Sequence, residues 1–371
     1  MPIISRLKLK YALKTKIIIT SSFLHKKYFH NDFYRYCCDQ LNIKVFYSYL
    51  PNKYDYRQSY LSKIKFGKLV LLIFNNLVKV LKFPLLFKDL IMADSYLHEY
   101  SNQKDATIFF YFMAKLFGKK IFAYHHGHTI NIDTRFSSNV KKNNIATYLN
   151  FHLHNNNYFK QLPYQKQIII GYPKFYNEWI EILKRYNSTL PKKEKHILIL
   201  TRPISHAYMD KSSYEHLLFT SYKKIREKLN KIDIIIKKHP REDDDFIISI
   251  INKYKMENVT ISDINAAVLS LSSVFTISFW TSAILDALSV GNPAIEYFKE
   301  PQEFRKHEPE GSVFKKVGIQ STDSNEELGK FIESVITKNY IPPKILRELN
   351  SYPSLSFFWF GTYSCNCYFL L

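Results

Sequence analysis

The sequence predicts an α/β protein built from two doubly wound, Rossmann-like lobes that face a central cleft. Short runs of β-forming residues alternate with longer helical patterns, which is typical of parallel sheets with crossover helices. A polar, proline-containing segment at 186–195 divides these units into two halves. At 371 residues the chain is long enough for two cores. We therefore expect an N-terminal lobe at 1–185, a linker at 186–195, a C-terminal lobe at 196–345 and an aromatic segment at 346–371.

The predicted strands are short apolar or β-branched runs bounded by polar residues. In the first half they lie at 16–20, 43–47, 107–110, 120–124, 150–154 and 167–171. In the second half they lie at 196–201, 233–237, 259–262, 274–277 and 293–297. Ligands of open α/β sheets bind beyond the carboxyl ends of the strands, so the residues that follow each strand are where the chemistry is expected.

The chain is strongly basic. Lys and Arg number 53 against 32 Asp and Glu, a formal net charge of +21, which predicts a polyanionic partner. The lysines are scattered, without zinc-finger spacing, an RNP-type aromatic motif or a long arginine-rich helix, and this argues against nucleic acid. An anionic membrane surface, a nucleotide donor or an acidic glycan suits the same charge.

A cytoplasmic location is predicted, with contact to a membrane surface. The basic start of the chain is followed only by a short apolar run at 17–19, too short for a signal peptide. The four cysteines lack CxxC spacing, and we interpret them as reduced thiols. Two segments suit a bilayer interface: 65–92, where lysines interrupt apolar clusters, and the aromatic C-terminus. The alternative for each is an ordinary helical segment that packs on the protein core.

Three histidines follow the predicted strand 120–124. They are His125, His126 and His128, and Gly127 lies among them. An imidazole at a strand end can accept a proton from a sugar hydroxyl at neutral pH, and the glycine lets the backbone approach a ligand closely. A metal site is one alternative, although no further ligand is identifiable beside the alternating histidines. A structural cluster is the other.

Strand ends of the second half carry groups that suit an anion: cations, a histidine before a proline, hydroxyls and one carboxylate. They are Arg202, Lys238, His239, Pro240, Ser278, Thr281, Ser282 and Asp286. The proline favours an extended backbone at His239, and donors at strand tips suit a phosphate. A solvated turn at His239 and simple helix caps at Thr281 or Ser282 are the alternatives.

The order of these motifs resembles a known superfamily. An HG pair after a first-half strand, an HP pair after a second-half strand and two hydroxyls followed four residues later by Asp span 122–297. This arrangement resembles the GT-B glycosyltransferase superfamily of capsule and lipopolysaccharide Kdo transferases, bacterial polysialyltransferases and CDP-glycerol glycerophosphotransferases. The Asp-Tyr that commonly precedes the serine pair in the glycerophosphotransferases is replaced by Phe279-Trp280. This departure favours a CMP-activated acidic sugar over a CDP-polyol.

The resemblance implies a GT-B fold and an inverting, metal-independent glycosyltransferase. Such an enzyme would transfer Kdo or a sialic-acid-like nonulosonate from a CMP donor to a bacterial capsule or lipopolysaccharide glycan. His126 matches the catalytic base, with His125, Gly127 and His128 around the acceptor. The second-lobe residues named above would bind the donor.

The same resemblance implies no cofactor beyond the CMP-activated co-substrate and no metal. The implied partners are the donor, an acidic or lipid-linked glycan and an anionic membrane surface, without nucleic acid. The implied location is the inner face of the bacterial inner membrane, as a peripheral protein. Two other functions fit the sequence: a CDP-glycerol or CDP-ribitol phosphotransferase of the same fold, and a non-catalytic basic protein that binds glycan or nucleic acid.

Overall fold

The computed structural model describes residues 16–19, 44–47, 95–100, 116–125, 146–150, 166–169, 173–190, 194–205, 208–301, 303–307, 311–316 and 318–343. Within these residues, twelve strands form two six-stranded sheets, and every described pairing of neighbouring strands is parallel. The predicted α/β class with two parallel sheets is confirmed.

The first sheet is built from the N-terminal half of the chain. Its strands are β1 (Lys16–Ile19), β2 (Lys44–Tyr47), β3 (Ser95–Tyr100), β4 (Lys120–His125), β5 (Ala146–Asn150) and β6 (Lys166–Ile169). They are ordered β2-β1-β3-β4-β5-β6. The direction of strand addition reverses between β1 and β3, so the topological switch point of this sheet lies there.

The second sheet has the strand order of a dinucleotide-binding fold. Its strands are β7 (His196–Leu200), β8 (Asp233–Lys237), β9 (Val259–Ser262), β10 (Ser273–Ser278), β11 (Ala294–Tyr297) and β12 (Ser321–Thr322). The order β12-β11-β10-β7-β8-β9 becomes 3-2-1-4-5-6 when the strands are counted from β7 and the sheet is viewed from its other end. Its switch point therefore lies between β7 and β10.

Helices of the described residues accompany the second sheet. They are α1 (Asn177–Thr189), α2 (Lys211–Lys228), α3 (Asp244–Lys253), α4 (Ala266–Ser270), α5 (Ile284–Ser289), α6 (Phe304–His307), α7 (Val313–Lys316) and α8 (Asn325–Ile336), with a 3-10 turn at Pro173–Phe175 before α1. Two of the longer ones begin at side-chain caps: Asp210 before α2 accepts from the backbone N–H of Ser213, and Ser324 caps α8.

Both faces of the second sheet are covered, as the all-buried sequence of β7 requires. Ile197 and Ile199 of β7 join a core with α2, α3 and α8, whereas Leu198 and Leu200 pack on the other face with residues of α4. All five β7 residues are buried. This sheet is therefore doubly wound, as predicted.

The strands differ from the predicted ones at three places. Strand β3 was not predicted, because Ser95–Tyr100 mixes His and Glu into the run and lacks the apolar continuity of the others. Strand β5 ends at Asn150, where the predicted strand begins. Strand β12 was not predicted because it is only two residues long, too short to show an alternating pattern. The predicted strand at 107–110 lies outside the described residues.

Helix α1 extends into the predicted linker, as far as Thr189, and it packs on the second sheet's helices. Ile182 and Leu183 of α1 are buried with Ala267 and Val268 of α4. Phe175, just before α1, is buried among α5 residues. The boundaries of the two lobes stay a prediction, and these contacts show that residues 175–183 are attached to the C-terminal sheet.

Within the described part of the chain, no helix combines the length and the apolar character needed to cross a bilayer. Both segments with predicted membrane contact, 65–92 and 346–371, lie outside the described residues. Peripheral membrane association stays a prediction. So does the central cleft, because residues 126–145 after β4 are also outside them.

The edge of the second sheet buries a carboxyl group. Glu296 of β11 is fully buried, and it accepts hydrogen bonds from the hydroxyl of Ser312 at 2.8 Å and from that of Ser321. Burial raises the pKa of Glu296 to about 7, although the two hydroxyl donors oppose the shift. The folded protein therefore holds this proton more tightly than the unfolded chain does.

We expect this proton to make stability depend on pH. Glu296 stabilises the fold most below the pKa of about 4.5 that it has when unfolded, and that contribution is lost as the pH rises through about 7. Relative to the variant Glu296→Gln, the free energy of unfolding of the wild type should fall by up to about 1.4 kcal/mol per pH unit in this window. Urea unfolding of both proteins at several pH values measures this difference, and parallel pH curves would contradict it.

Candidate functional site

The carboxyl edge of the second sheet gathers most of the predicted donor-binding residues. Arg202 follows β7, Lys238 and His239 follow β8, and Ser278 is the last residue of β10. The sheet order is β10-β7-β8, so these three strand ends are direct neighbours. The switch point between β7 and β10 is where open α/β sheets bind their ligands. The residues therefore meet at the place where this fold favours a ligand.

Arg202 is fixed across the switch point by aromatic neighbours. Its Nη1 donates a hydrogen bond to the carbonyl of Trp280 at 3.2 Å. The guanidinium carbon lies 4.3 Å from the ring centroid of Trp280 and 4.8 Å from that of Tyr208, and the two rings are stacked with centroids 4.9 Å apart. Cation–π attraction holds the guanidinium in place. A planar donor group held in this way suits a phosphate or a carboxylate.

Trp280 has a strained backbone at the centre of this cluster. Its φ is 51°, in the left-handed region that a bulky side chain rarely adopts, at a cost of roughly 1–3 kcal/mol. The ring packs edge-on against Phe304 at 4.9 Å and stacks on Phe298 at 5.6 Å, which helps to offset that cost. Strain of this kind concentrates at functional sites.

His239 begins a tight turn after β8, formed by residues 239–242 and called the HP turn below. The backbone N–H of Glu242 donates to the carbonyl of His239 at 2.8 Å, which closes a β-turn with Pro240 in its second position. The backbone N–H of Arg241 donates to Nδ1 of His239 at 3.1 Å. Because Nδ1 accepts, the neutral ring carries its proton on Nε2. The HP turn thus presents an N–H donor of defined tautomer.

The two lysines at the end of β8 are held differently. The ammonium of Lys238 pairs with the carboxylates of Asp244 and Asp263, the latter at 3.8 Å, and the hydrogen bond to Asp244 raises the pKa of Lys238. Lys237 donates to the carbonyl of Lys238 at 3.1 Å, and burial lowers the pKa of Lys237. The charge of Lys238 is therefore partly neutralised within the protein.

The hydroxyl residues after β10 form the 278–282 loop. Ser278 is fully buried, and its Oγ exchanges hydrogen bonds at 3.4 Å with the backbone N–H and carbonyl of Thr281. The Oγ1 of Thr281 accepts from the backbone N–H of Ala283 at 3.5 Å. The carbonyl of Ser282 accepts from the backbone N–H of Leu285. Ser278 shapes this loop, while Thr281 and Ser282 lie half-buried at its tip.

Asp286 lies in α5, one turn after the 278–282 loop. Its carboxylate accepts a salt bridge from Lys174 at 2.6 Å, and the Asp286 side chain is only 14% exposed. The pair connects the 3-10 turn before α1 to the helix that follows the loop. In this structure Asp286 anchors that turn, and its predicted contact with a donor stays a prediction.

Three residues of this edge were missed by sequence reasoning: Glu242, Tyr208 and Trp280. Glu242 accepts hydrogen bonds from the hydroxyl of Thr201 at 2.8 Å and from the backbone N–H of His239. It stands three residues after His239, a spacing that suits a turn contact and was the available signal. Tyr208 and Trp280 carry no such signal, because their pairing around Arg202 joins positions 72 residues apart in the chain.

The first-lobe histidines are described only in part. His125 is the last residue of β4, so the structure ends this strand at the first histidine. His126, Gly127 and His128 lie outside the described residues. Strand β4 is one strand away from the switch point between β1 and β3. The role predicted for His126 stays a prediction.

Among the described residues, no group of three or more His, Cys, Asp or Glu is placed to hold a metal ion. The predicted independence from metals stays a prediction, since His126 and His128 lie outside the described residues.

Comparison with known proteins gives likenesses of structure alone. No protein-family model matches the sequence, and no curated protein is significantly similar to it. The UDP-GlcNAc 2-epimerase of Methanocaldococcus jannaschii aligns at 14% identity and a TM-score of 0.47, over 91% of this chain and 98% of that chain. A glycosyltransferase from Rickettsia africae aligns at 12% identity and 0.45, over 91% and 93%.

A variant of the wall teichoic acid polymerase TagF aligns at 11% identity and a TM-score of 0.47, over 93% of this chain and 87% of that chain. All of these TM-scores are below 0.5, so the likenesses assign neither a family nor an activity. The α/β class and the strand orders rest on the structure itself.

Proposed function

We propose that this protein is an inverting glycosyltransferase that transfers an acidic sugar from a CMP-activated donor to a bacterial surface glycan. The observation that carries the proposal is the meeting of Arg202, the HP turn and the 278–282 loop at the carboxyl edge of β10, β7 and β8. Cationic, imidazole and hydroxyl donors at a switch point suit the phosphate of a nucleotide.

The charge balance of this edge favours a monophosphate as the leaving group. The cations Arg202, Lys237 and Lys238 are accompanied by the carboxylates Glu242, Asp244 and Asp263, which reduces the local positive charge. A nucleoside diphosphate that leaves with a higher charge would need more unpaired cations than this. CMP suits such a site better than UDP or GDP.

The distribution of charge along the chain supports an anionic acceptor. Residues 1–193 hold 31 Lys and Arg against 10 Asp and Glu, whereas residues 194–343 hold 20 against 21. The positive excess of the chain therefore lies in the half that would bind the acceptor. An acidic glycan, or a lipid-linked glycan at an anionic membrane surface, fits this half.

The proposed reaction is a single displacement. An imidazole, for which we propose His126, takes the proton from the acceptor hydroxyl. The oxygen attacks the anomeric carbon of the donor, the bond from that carbon to the phosphate oxygen breaks, and CMP leaves with the bonding electrons. The configuration at the carbon inverts. Arg202 and His239 stabilise the charge that develops on the phosphate.

Nucleotide binding followed by product analysis tests the proposal. Thermal unfolding of the full chain with CMP, CDP, UDP and GDP should show the largest stabilisation with CMP. Incubation with CMP-Kdo or CMP-sialic acid and an acidic glycan should then release CMP and add the sugar to the glycan. CMP release from CDP-glycerol, with a phosphopolyol added to the acceptor, would instead establish the polyol phosphotransferase. A larger shift with UDP or GDP would overturn the assignment to cytidine donors.

A further inference from the structure

We propose that Glu242 is a positioning residue, which holds His239 in the orientation and tautomer that meet the donor phosphate. The inference rests on the proposed function for the identity of the ligand, but not for the geometry. Glu242 itself would not touch the donor. It would act through the HP turn that it closes.

Both termini of the HP turn depend on Glu242. Its Oε2 accepts from the backbone N–H of His239, while its own backbone N–H donates to the carbonyl of His239 at 2.8 Å. The third contact of the turn, from the backbone N–H of Arg241 to Nδ1 of His239, uses the geometry fixed by the other two. His239 is thus held at its N–H, its carbonyl and one ring nitrogen within four residues.

Glu242 also joins this turn to the neighbouring strand. The same Oε2 accepts from Oγ1 of Thr201 at 2.8 Å, and the backbone N–H of Thr201 donates to the carbonyl of Lys237 at 3.2 Å. Thr201 is the residue before Arg202. One carboxylate oxygen therefore sets the spacing between the two groups, His239 and Arg202, that the proposed phosphate must bridge.

The surroundings of Glu242 argue against a role in starting helix α3. Asp243 caps that helix, since its side chain accepts from the backbone N–H of Asp245 at 3.1 Å. Glu242 points instead toward the buried hydroxyl of Tyr214, and burial together with the charge of Glu242 raises the pKa of Tyr214. Burial likewise raises the pKa of Glu242. An enclosed carboxylate is unfavourable unless hydrogen bonds compensate, and both hydrogen bonds that Oε2 accepts come from the ends of β7 and β8.

A double-mutant cycle on CMP affinity tests this inference. Glu242→Ala should weaken CMP binding by about tenfold in the wild-type background, because His239 then samples other orientations. In the His239→Ala background the same substitution should have almost no further effect, since the group it positions is gone. Glu242→Gln, which keeps one acceptor oxygen and fills the same space, should recover part of the affinity. Equal effects in both backgrounds would overturn the proposal.

The tautomer of the His239 ring distinguishes positioning from stabilisation, because it would not change if Glu242 only stabilised the fold. In spectra of protein with ¹⁵N-labelled histidine at about pH 8, His239 should show a protonated Nε2 and an unprotonated Nδ1. Glu242→Ala should give a mixture of tautomers, whereas the control Asp243→Ala, which removes the neighbouring helix cap, should leave the ring signal unchanged. An unchanged signal in Glu242→Ala would refute the inference. If CMP does not bind the wild type, the proposed function fails, and the ring signal still decides what Glu242 does.

Discussion

Replacing His126 with alanine is expected to lower the turnover number by roughly 10²- to 10⁴-fold, while the affinity for CMP stays unchanged. The reason is that the proposed base and the proposed phosphate contacts belong to different sheets. The proposed phosphate contacts lie after β7, β8 and β10 of the second sheet, whereas His126 follows directly on β4 of the first. Loss of a proton acceptor on the first sheet leaves the phosphate contacts of the second intact.

Two measurements on the same variant check this expectation. CMP release in the presence of acceptor gives the turnover number, and calorimetric titration with CMP gives the affinity. His216→Ala is the control, since it removes an exposed imidazole of α2 to which we assign no part in binding or proton transfer. Undiminished turnover in His126→Ala would remove the base from the mechanism. A parallel loss of CMP affinity would place His126 in the donor site instead.

The class of the fold was predictable because the second half of the chain obeys simple rules. The sequence of β7, HILIL, is buried at every position, which is what a central parallel strand demands. Strands β8 and β9 begin and end where apolar periodicity places them. The order of strands was not predictable in the same way, since it depends on which crossovers neighbour one another. That order is what puts Arg202 beside the 278–282 loop.

The sequence predicts which residues lie at the strand ends of the candidate site, but it does not predict their contacts or the residues that join them. The positions of Arg202 and His239 are predictable because each follows a buried apolar run, and a polar residue there lies at the edge of the sheet. The sequence gives no sign that Lys238 is engaged by Asp263, or that Ser278 is fully enclosed. These outcomes depend on which strand ends are neighbours, and the order of the strands decides that. The left-handed backbone of Trp280 is of the same kind, since no local residue preference requires it.

His239→Ala is expected to weaken CMP binding by about 10- to 100-fold, the effect of losing one hydrogen bond to a charged group. The Nδ1 atom of His239 is occupied by the backbone N–H of Arg241, so the proton on Nε2 is the one that can meet a phosphate oxygen. His239→Gln keeps an N–H donor at a similar distance from the backbone and should recover part of the lost affinity. Calorimetric titration with CMP measures all three proteins.

The matched control for this experiment is His216→Ala, which removes an exposed imidazole from α2 and should leave CMP affinity as it is in the wild type. Thermal unfolding of the variants without ligand separates loss of binding from loss of fold. The prediction for His239 concerns affinity above all, because the proposed contact with the phosphate would form in the bound donor, before the glycosidic bond breaks. If His239→Ala binds CMP as tightly as the wild type, the phosphate must lie away from the HP turn, and Arg202 with the 278–282 loop would have to hold it alone.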